Sequence, residues 1–384
     1  MTAAIYLPQI LRIGGGVSKE LPQAMADLGV SRPLIITDPF IASNGYLDQL
    51  YEVLESNGIE YGVFSDCVPD PTVESINAGL AAWQSGNYDC AVGFGGGSSM
   101  DSAKAIAVLA KHGGTMRDFK VPNAVPKGFP IIAVPTTAGT GSEATRATVI
   151  TDTATNEKML CMGIGLIPEA ALVDFELTVS MPYRLTADTA IDSLCHAMEA
   201  YVSKKASPYS DTQAIAAMKL LAPNLRRVFH DASDKEAREA MMLGSTLAGI
   251  AFSNASVALV HGMSRPIGAF YHVPHGLSNA MLLPMVTEYS IPAAVKRYAD
   301  CARAMGVANM ADSDASANVK LMSELYAINE ELQVPSPLQF GIPREHFFGN
   351  LEIMAEQALA SGSPGNNPRV PSAEDIIEIY KTLW

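Results

Sequence analysis

The sequence predicts an α/β domain, a parallel sheet flanked by helices, followed by an all-α domain. Three observations carry this: strand-like and helix-like apolar patterns alternate through the first half, strand patterns fade from residue 185, and a glycine-rich turn follows the third strand. A chain of 384 residues exceeds the usual size of one domain. The stretch LIPEAALVDFELTVSMPYRL shows neither period and carries Pro168 and Pro182, so the division is expected near residue 181, giving domains 1–181 and 182–384.

Residues 33–37 (PLIIT), 61–65 (YGVFS), 89–94 (DCAVGF) and 130–134 (PIIAV) are short apolar runs bounded by Asp, Pro or Gly, the pattern of strands buried in a parallel sheet. Helical periods lie between them. Leu21, Met25 and Leu28 recur at i, i+4 and i+7; Tyr46, Leu47, Leu50, Tyr51 and Leu54 form a second stripe, and Ile76, Leu80 and Trp83 a third. Crossover helices between parallel strands give a doubly wound sheet. Beyond the boundary, helical periods run through 186–202, 209–228, 234–252, 290–305, 315–332, 345–360 and 373–382.

Composition narrows the function. Hydrophobic residues at 48% against 17% charged exclude a disordered chain. Forty acidic against 26 basic residues leave a net charge of −14, which argues against nucleic acid or an anionic membrane surface as partner. The five cysteines are odd in number and form no C-x-x-C, so they read as small buried hydrophobes in a reducing compartment. The start MTAAIYLPQILRIGGG lacks a basic region, and no apolar run reaches the roughly 18 residues of a membrane span, so the cytoplasm is the expected location.

The run DCAVGF leads directly into Gly95, Gly96, Gly97 and Ser98, and a helical period begins at Ala103. A strand, a turn without side chains and a helix start let backbone N–H groups close on an anion, as a pyrophosphate requires. The spacing is not G-x-G-x-x-G and the turn follows the third strand, so the common Rossmann fingerprint does not apply; a tight structural turn is the plain alternative. Asp101 lies in the same segment. Asp38 ends the first long strand, where a carboxylate accepts ribose hydroxyls and repels a 2′-phosphate, favouring NAD over NADP; it reads equally as a helix N-cap before Pro39. A second small-residue loop, 135–143, offers the hydroxyls of Thr136, Thr137, Thr140 and Ser142.

Asp192 and His196 stand at i, i+4 and share one helix face. His261-Gly262 and His275-Gly276 follow. One carboxylate with three imidazoles suits Fe²⁺, Zn²⁺, Co²⁺ or Ni²⁺ and is too rich in nitrogen for Mg²⁺ or Ca²⁺. Asp192 and His196 alone read equally as a helical pair; the combination points to a metal. His272, three residues before His275, reads either as support for the site or as structure.

GGGSSMDSAK, PTTAGTGSE, the Asp192-x3-His196 helix and HGMSRPIGAFYHVPHG occur in an order and spacing that resemble the iron-containing (group III) alcohol dehydrogenases, nearest their lactaldehyde-reductase and propanediol-dehydrogenase branch. The resemblance extends from PQILRIGGG to the terminal EDIIEIYKTLW. It implies an N-terminal α/β dinucleotide-binding domain and a helical domain with the metal held between them. Asp192, His196, His261 and His275 match the metal ligands, Gly96, Gly97 and Ser98 the pyrophosphate site, and Asp38 the adenosine ribose site. Asp70, Thr136, Thr137, Thr145 and Lys158 match other cofactor contacts. Reversible hydride transfer between a small primary alcohol or diol and NAD follows, with Fe²⁺ as the implied ion, Zn²⁺ also accepted by the donor set, and a homodimer or larger homo-oligomer as the implied assembly.

One departure stands out. Many relatives read H-x-x-x-H from the third ligand, whereas this chain has Arg265 in the second position. Arginine stays charged and cannot relay a proton, which leaves water, a cofactor hydroxyl or His272 for that task. A guanidinium also pairs bidentately with carboxylates, so Arg265 suggests a substrate with an anionic end, a hydroxy acid or semialdehyde; an arginine turned outward or paired with an acidic neighbour is the structural alternative. A dehydroquinate synthase-like lyase shares the fold and NAD but typically uses one Glu and two His. A silent scaffold would be expected to lose a ligand or a glycine, and all are present.

Overall fold

The computed structural model describes residues 3–155 and 157–384 and divides into two compact units, Ala4–Ser180 and Met181–Trp384. The first is built on eight strands: β1 (Ile10–Ile13), β2 (Pro33–Ile36), β3 (Gly62–Phe64), β4 (Cys90–Gly95), β5 (Ile131–Pro135), β6 (Ala147–Asp152), β7 (Glu157–Met162) and β8 (Ala170–Val173). Six pair in parallel in the order β1-β8-β5-β4-β2-β3, while β6 and β7 form a separate antiparallel hairpin.

Side-chain alternation puts two different cores on the two sheet faces. Ile35, Cys90, Val92 and Phe94 pack with Leu21 and Met25 of α1 (Leu21–Leu28), Ile41 of α2 (Pro39–Ser43) and Leu50 and Leu54 of α3 (Asp48–Ser56). Leu34, Ile36 and Ala91 face the other way, onto Ile76 and Trp83 of α4 (Val73–Gln84) and Ala103 and Ile106 of α5 (Gly97–His112). The sheet is therefore covered on both sides, which is why its central strands read as unbroken apolar runs.

The sequence analysis missed β1, β8 and the hairpin. β8 lies in the stretch that showed no period: AALV is four residues long, half of it alanine, and too short to display an alternation. β1 is an edge strand with Leu11 and Ile13 exposed.

The second unit is helical throughout its described residues: α6 (Tyr183–Val202), α7 (Pro208–His230), α8 (Lys235–Ala255), α9 (Leu259–Tyr271), α10 (His275–Ser290), α11 (Val295–Ala304), α12 (Asp314–Glu331), α13 (Pro337–Phe340), α14 (Arg344–Gly349), α15 (Leu351–Ala360) and α16 (Ala373–Lys381). The sequence analysis did not read α9 or α10 as helices, because Pro266 and Pro284 lie inside them. An internal proline loses one ladder bond and is tolerated where packing holds the helix. No single helix among the described residues is long and apolar enough to cross a membrane.

Candidate metal centre and cofactor turns

The glycine turn, the 135–143 loop and Asp38 sit at the carboxyl ends of three neighbouring strands, β4, β5 and β2, where an open α/β sheet binds its ligands. Gly95 has φ of 146°, and a Cβ there would lie 2.5 Å from Ser99 Oγ; a Cβ on Gly97 would lie 2.9 Å from Thr140 Cγ2. Packing alone requires those two glycines. Gly96 differs: its φ is −74°, and a Cβ would meet only Thr137, at an ordinary 3.5 Å. Nothing among the described residues forbids a side chain at Gly96, which leaves the backbone there open to close approach by a ligand. The first N–H groups of α5 have no helical partner, and the buried hydroxyls Ser99 Oγ, Thr137 Oγ1 and Thr37 Oγ1 make no hydrogen bond. The free N–H groups at the start of α5 suit the phosphate oxygens of a dinucleotide.

Asp38 caps α2, its Oδ1 accepting from Ile41 N (3.0 Å), and its Oδ2 faces the glycine turn, 3.6 Å from where a Gly95 Cβ would stand. Asp101 instead supports the loop: its Oδ1 accepts from Ser142 Oγ (2.7 Å) and its Oδ2 from Val149 N (3.0 Å). Thr145 Oγ1 lies 3.0 Å from the ammonium of Lys104, which is fully buried and also donates to Ser142 Oγ (2.9 Å) and Ala147 O (3.0 Å). Burial pushes the Lys104 pKa down to about 8. Lys158 and Asp70 form an ion pair at 3.0 Å.

In the helical unit, α6 presents Asp192, His196 and Glu199 at i, i+4 and i+7, one face of the helix. His261 comes from the first turn of α9 and His275 opens α10. Gly276 permits the approach, because a Cβ there would lie 2.4 Å from the Asp188 carbonyl on α6. The Oδ1 of Asp192 then lies 3.4 Å from His261 Nε2, 3.8 Å from His196 Nε2 and 3.9 Å from His275 Nε2. Two ligands about 2.1 Å from a tetrahedral cation stand roughly 3.4 Å apart, so the donor set matches a divalent transition metal in type, with the His261 pair at that spacing and the other two wider. Burial alone would raise the Asp192 pKa; the surrounding imidazoles outweigh it and hold the carboxyl well below its usual range.

The side chains of Asp192, His196 and His261 are at most 5% exposed, whereas that of His275 is 46% exposed, so the centre is open on the His275 side. Two residues that the sequence analysis did not assign complete it. Glu199 accepts from His261 Nδ1 (2.7 Å), which turns Nε2 toward the centre, and its oxygens also accept from the N–H groups of Ala258 (2.9 Å) and Val260 (2.6 Å) at the start of α9. The signal was present in the i+7 spacing from Asp192. Asn279, one turn beyond His275, is fully buried against the ligands.

The residues that match family models are 8–175, to iron-containing alcohol dehydrogenase, and 186–384, to the C-terminal part of the Fe-containing alcohol dehydrogenase family. The chain belongs to the iron-containing alcohol dehydrogenase family. Among its relatives in that family, a long-chain-alcohol dehydrogenase of Geobacillus thermodenitrificans is 40% identical over 100% of this chain and 97% of its own. An NAD-dependent methanol dehydrogenase of Bacillus methanolicus is 36% identical over 98% of both chains. The crystal structure of a 1,3-propanediol oxidoreductase superposes with a TM-score of 0.95 at 33% identity, covering 100% of each chain. These family members are named for very different alcohols, so the shared frame specifies the reaction class and not the substrate.

Arg265 and His272 lie off the ligand set. Arg265 is half-buried in α9, one turn from His261, and its described hydrogen bond goes from Nη1 to Ser363 Oγ at 3.3 Å. It makes no ion pair among the described residues. His272 is the exposed C-terminal cap of α9 with φ of 55°, and no described hydrogen bond or ion pair joins it to the ligands.

Proposed function

We propose that this protein transfers hydride reversibly between a small primary alcohol or diol and NAD at a centre held by Asp192, His196, His261 and His275, with Fe²⁺ as the ion and Zn²⁺ as an alternative occupant. The observation that carries this is the convergence of one carboxylate oxygen and three Nε2 atoms, open on the side of His275. When bound, the ion supplies Lewis-acid polarisation of the substrate oxygen. The protein's part is orientation. Glu199 fixes His261, the Gly95–Gly97 turn and the Thr136, Thr137 and Thr140 hydroxyls receive the dinucleotide, and Asp38 selects an unphosphorylated ribose. With Arg265 in place of a second imidazole, the alcohol proton leaves to water or a cofactor hydroxyl.

The test is NADH formation by anaerobic, Fe²⁺-loaded protein across primary alcohols, diols and ω-hydroxy acids, with metal-stripped protein as control. Metal-dependent turnover of neutral alcohols is expected; no turnover on any member of the panel would overturn the reading.

A second reading, turnover of a carboxylated substrate, is favoured by Arg265. A guanidinium with five donors, one long bond to a hydroxyl and only the longer-range charge of Glu199 beside it has donors left for an anionic substrate end. Under this reading Arg265→Ala lowers kcat/KM for hydroxy acids about tenfold or more and leaves neutral alcohols unchanged. Equal effects on both substrates would reject it.

A homodimer is supported by the open edge of β1, where exposed Leu11 and Ile13 accompany unpaired backbone groups suited to a second copy. The five cysteines, all free and buried, are in keeping with the cytoplasm.

A further inference from the structure

Asn279 sits where three of the four ligand side chains meet. Its Nδ2 donates to Asp192 Oδ1 at 2.7 Å and lies 3.1 Å from His261 Nε2 and 3.2 Å from His275 Nε2. The residue is fully buried, and its Oδ1 has no hydrogen-bond partner. The amide orientation follows from charge: turning Oδ1 inward would set a carbonyl oxygen against the Asp192 carboxylate.

A buried carbonyl oxygen without a partner lowers stability, whereas the 2.7 Å bond from Nδ2 satisfies a buried carboxylate, so the amide is kept for its donor side. The reason lies in the acceptors it faces. Nδ2 of Asn279 lies within 3.2 Å of all three of these atoms and donates to the Asp192 carboxylate.

We propose that Asn279 is a positioning residue for the metal centre: its carboxamide holds Asp192, His261 and His275 converged before an ion enters, at the expense of its own unpaired oxygen. The inference rests on the metal reading above. It assigns Asn279 no contact with substrate. A purely structural role would lower stability and leave metal affinity and the ligand field unchanged, whereas a positioning role changes both of the latter.

The experiment uses Asn279→Leu and Asn279→Ala in the full chain. Metal-free protein is melted, and Zn²⁺ and Co²⁺ affinities are measured by chelator competition, with the Co²⁺ absorption spectrum as a second readout. In the folded variants affinity is expected to fall about 10- to 100-fold and the Co²⁺ bands to shift, whatever the change in the metal-free melting temperature. Affinity within twofold of the parent in a folded variant would overturn the proposal, as would a lower melting temperature with unchanged affinity. If neither variant folds, Asn279 is structural and the proposal fails. Parent protein that binds no metal, with Asp192→Asn indistinguishable from it, would instead overturn the metal reading itself.

Discussion

The two functional regions are made of different material. The proposed cofactor site would bind through backbone and is local: Gly95 to Ser99 form one continuous segment whose neighbours, Asp38 and the Thr136–Thr140 loop, end the adjacent strands. The candidate metal centre would bind through side chains drawn from three helices, across a span of sequence from Asp192 to His275. In the first, function is written as the absence of side chains. In the second, it is written as four particular side chains and the partners that hold them still. A backbone site should therefore fail by obstruction and a side-chain site by loss.

The largest effect is expected at the ligands. Asp192→Asn or His261→Ala removes the charge or an imidazole, and kcat/KM for alcohols should fall about a thousandfold or more, with metal content near zero by elemental analysis. Retained metal and activity would erase the contrast. Gly96→Ala tests obstruction: NAD affinity by titration should weaken by at least about tenfold, while metal content and melting temperature stay as in the parent, because no protein atom opposes the new Cβ. Gly95→Ala sharpens the point, since it must lower stability through Ser99 and the positive φ. Glu199→Gln keeps the shape and removes the charge behind His261; metal affinity should fall about tenfold, with NAD affinity unchanged.

The smallest effect belongs to Lys104. Burial lowers its pKa in the folded chain to about 8, below the value of 10.5 expected when unfolded. Between those values the unfolded chain holds a proton that the folded chain lacks, so stability contributed by this group rises as pH increases from 8 to 10.5. The gain reaches about 3 kcal/mol at most. Comparing denaturant unfolding of the parent with that of Lys104→Met across this range isolates it; parallel curves would remove Lys104 as the source.

The same contrast governs what the sequence reveals. Strands β2 to β5 are legible because both sheet faces are covered and leave continuous apolar runs, whereas edge strand β1 and the short, alanine-rich β8 carry too little pattern. The residue types of the metal centre are legible because imidazoles are few and each is followed or preceded by a telling neighbour. Their supports are not. Glu199 shows only through its i+7 spacing from Asp192, Asn279 looks like any helical asparagine, and helices α9 and α10, which carry His261 and His275, are masked by Pro266 and Pro284. Gly276 reads as a turn residue, and only the 2.4 Å approach to Asp188 shows that it is a spacing residue inside a helix.

Glu199 joins two things that are usually separate. One carboxylate receives the Nδ1 proton of His261 and the amide protons of Ala258 and Val260. Any event that steadies His261 also steadies the opening turn of α9, so deuterium uptake at those two amides becomes a gauge of occupancy at the centre. The backbone keeps a record of the ion, readable without substrate, cofactor or catalysis.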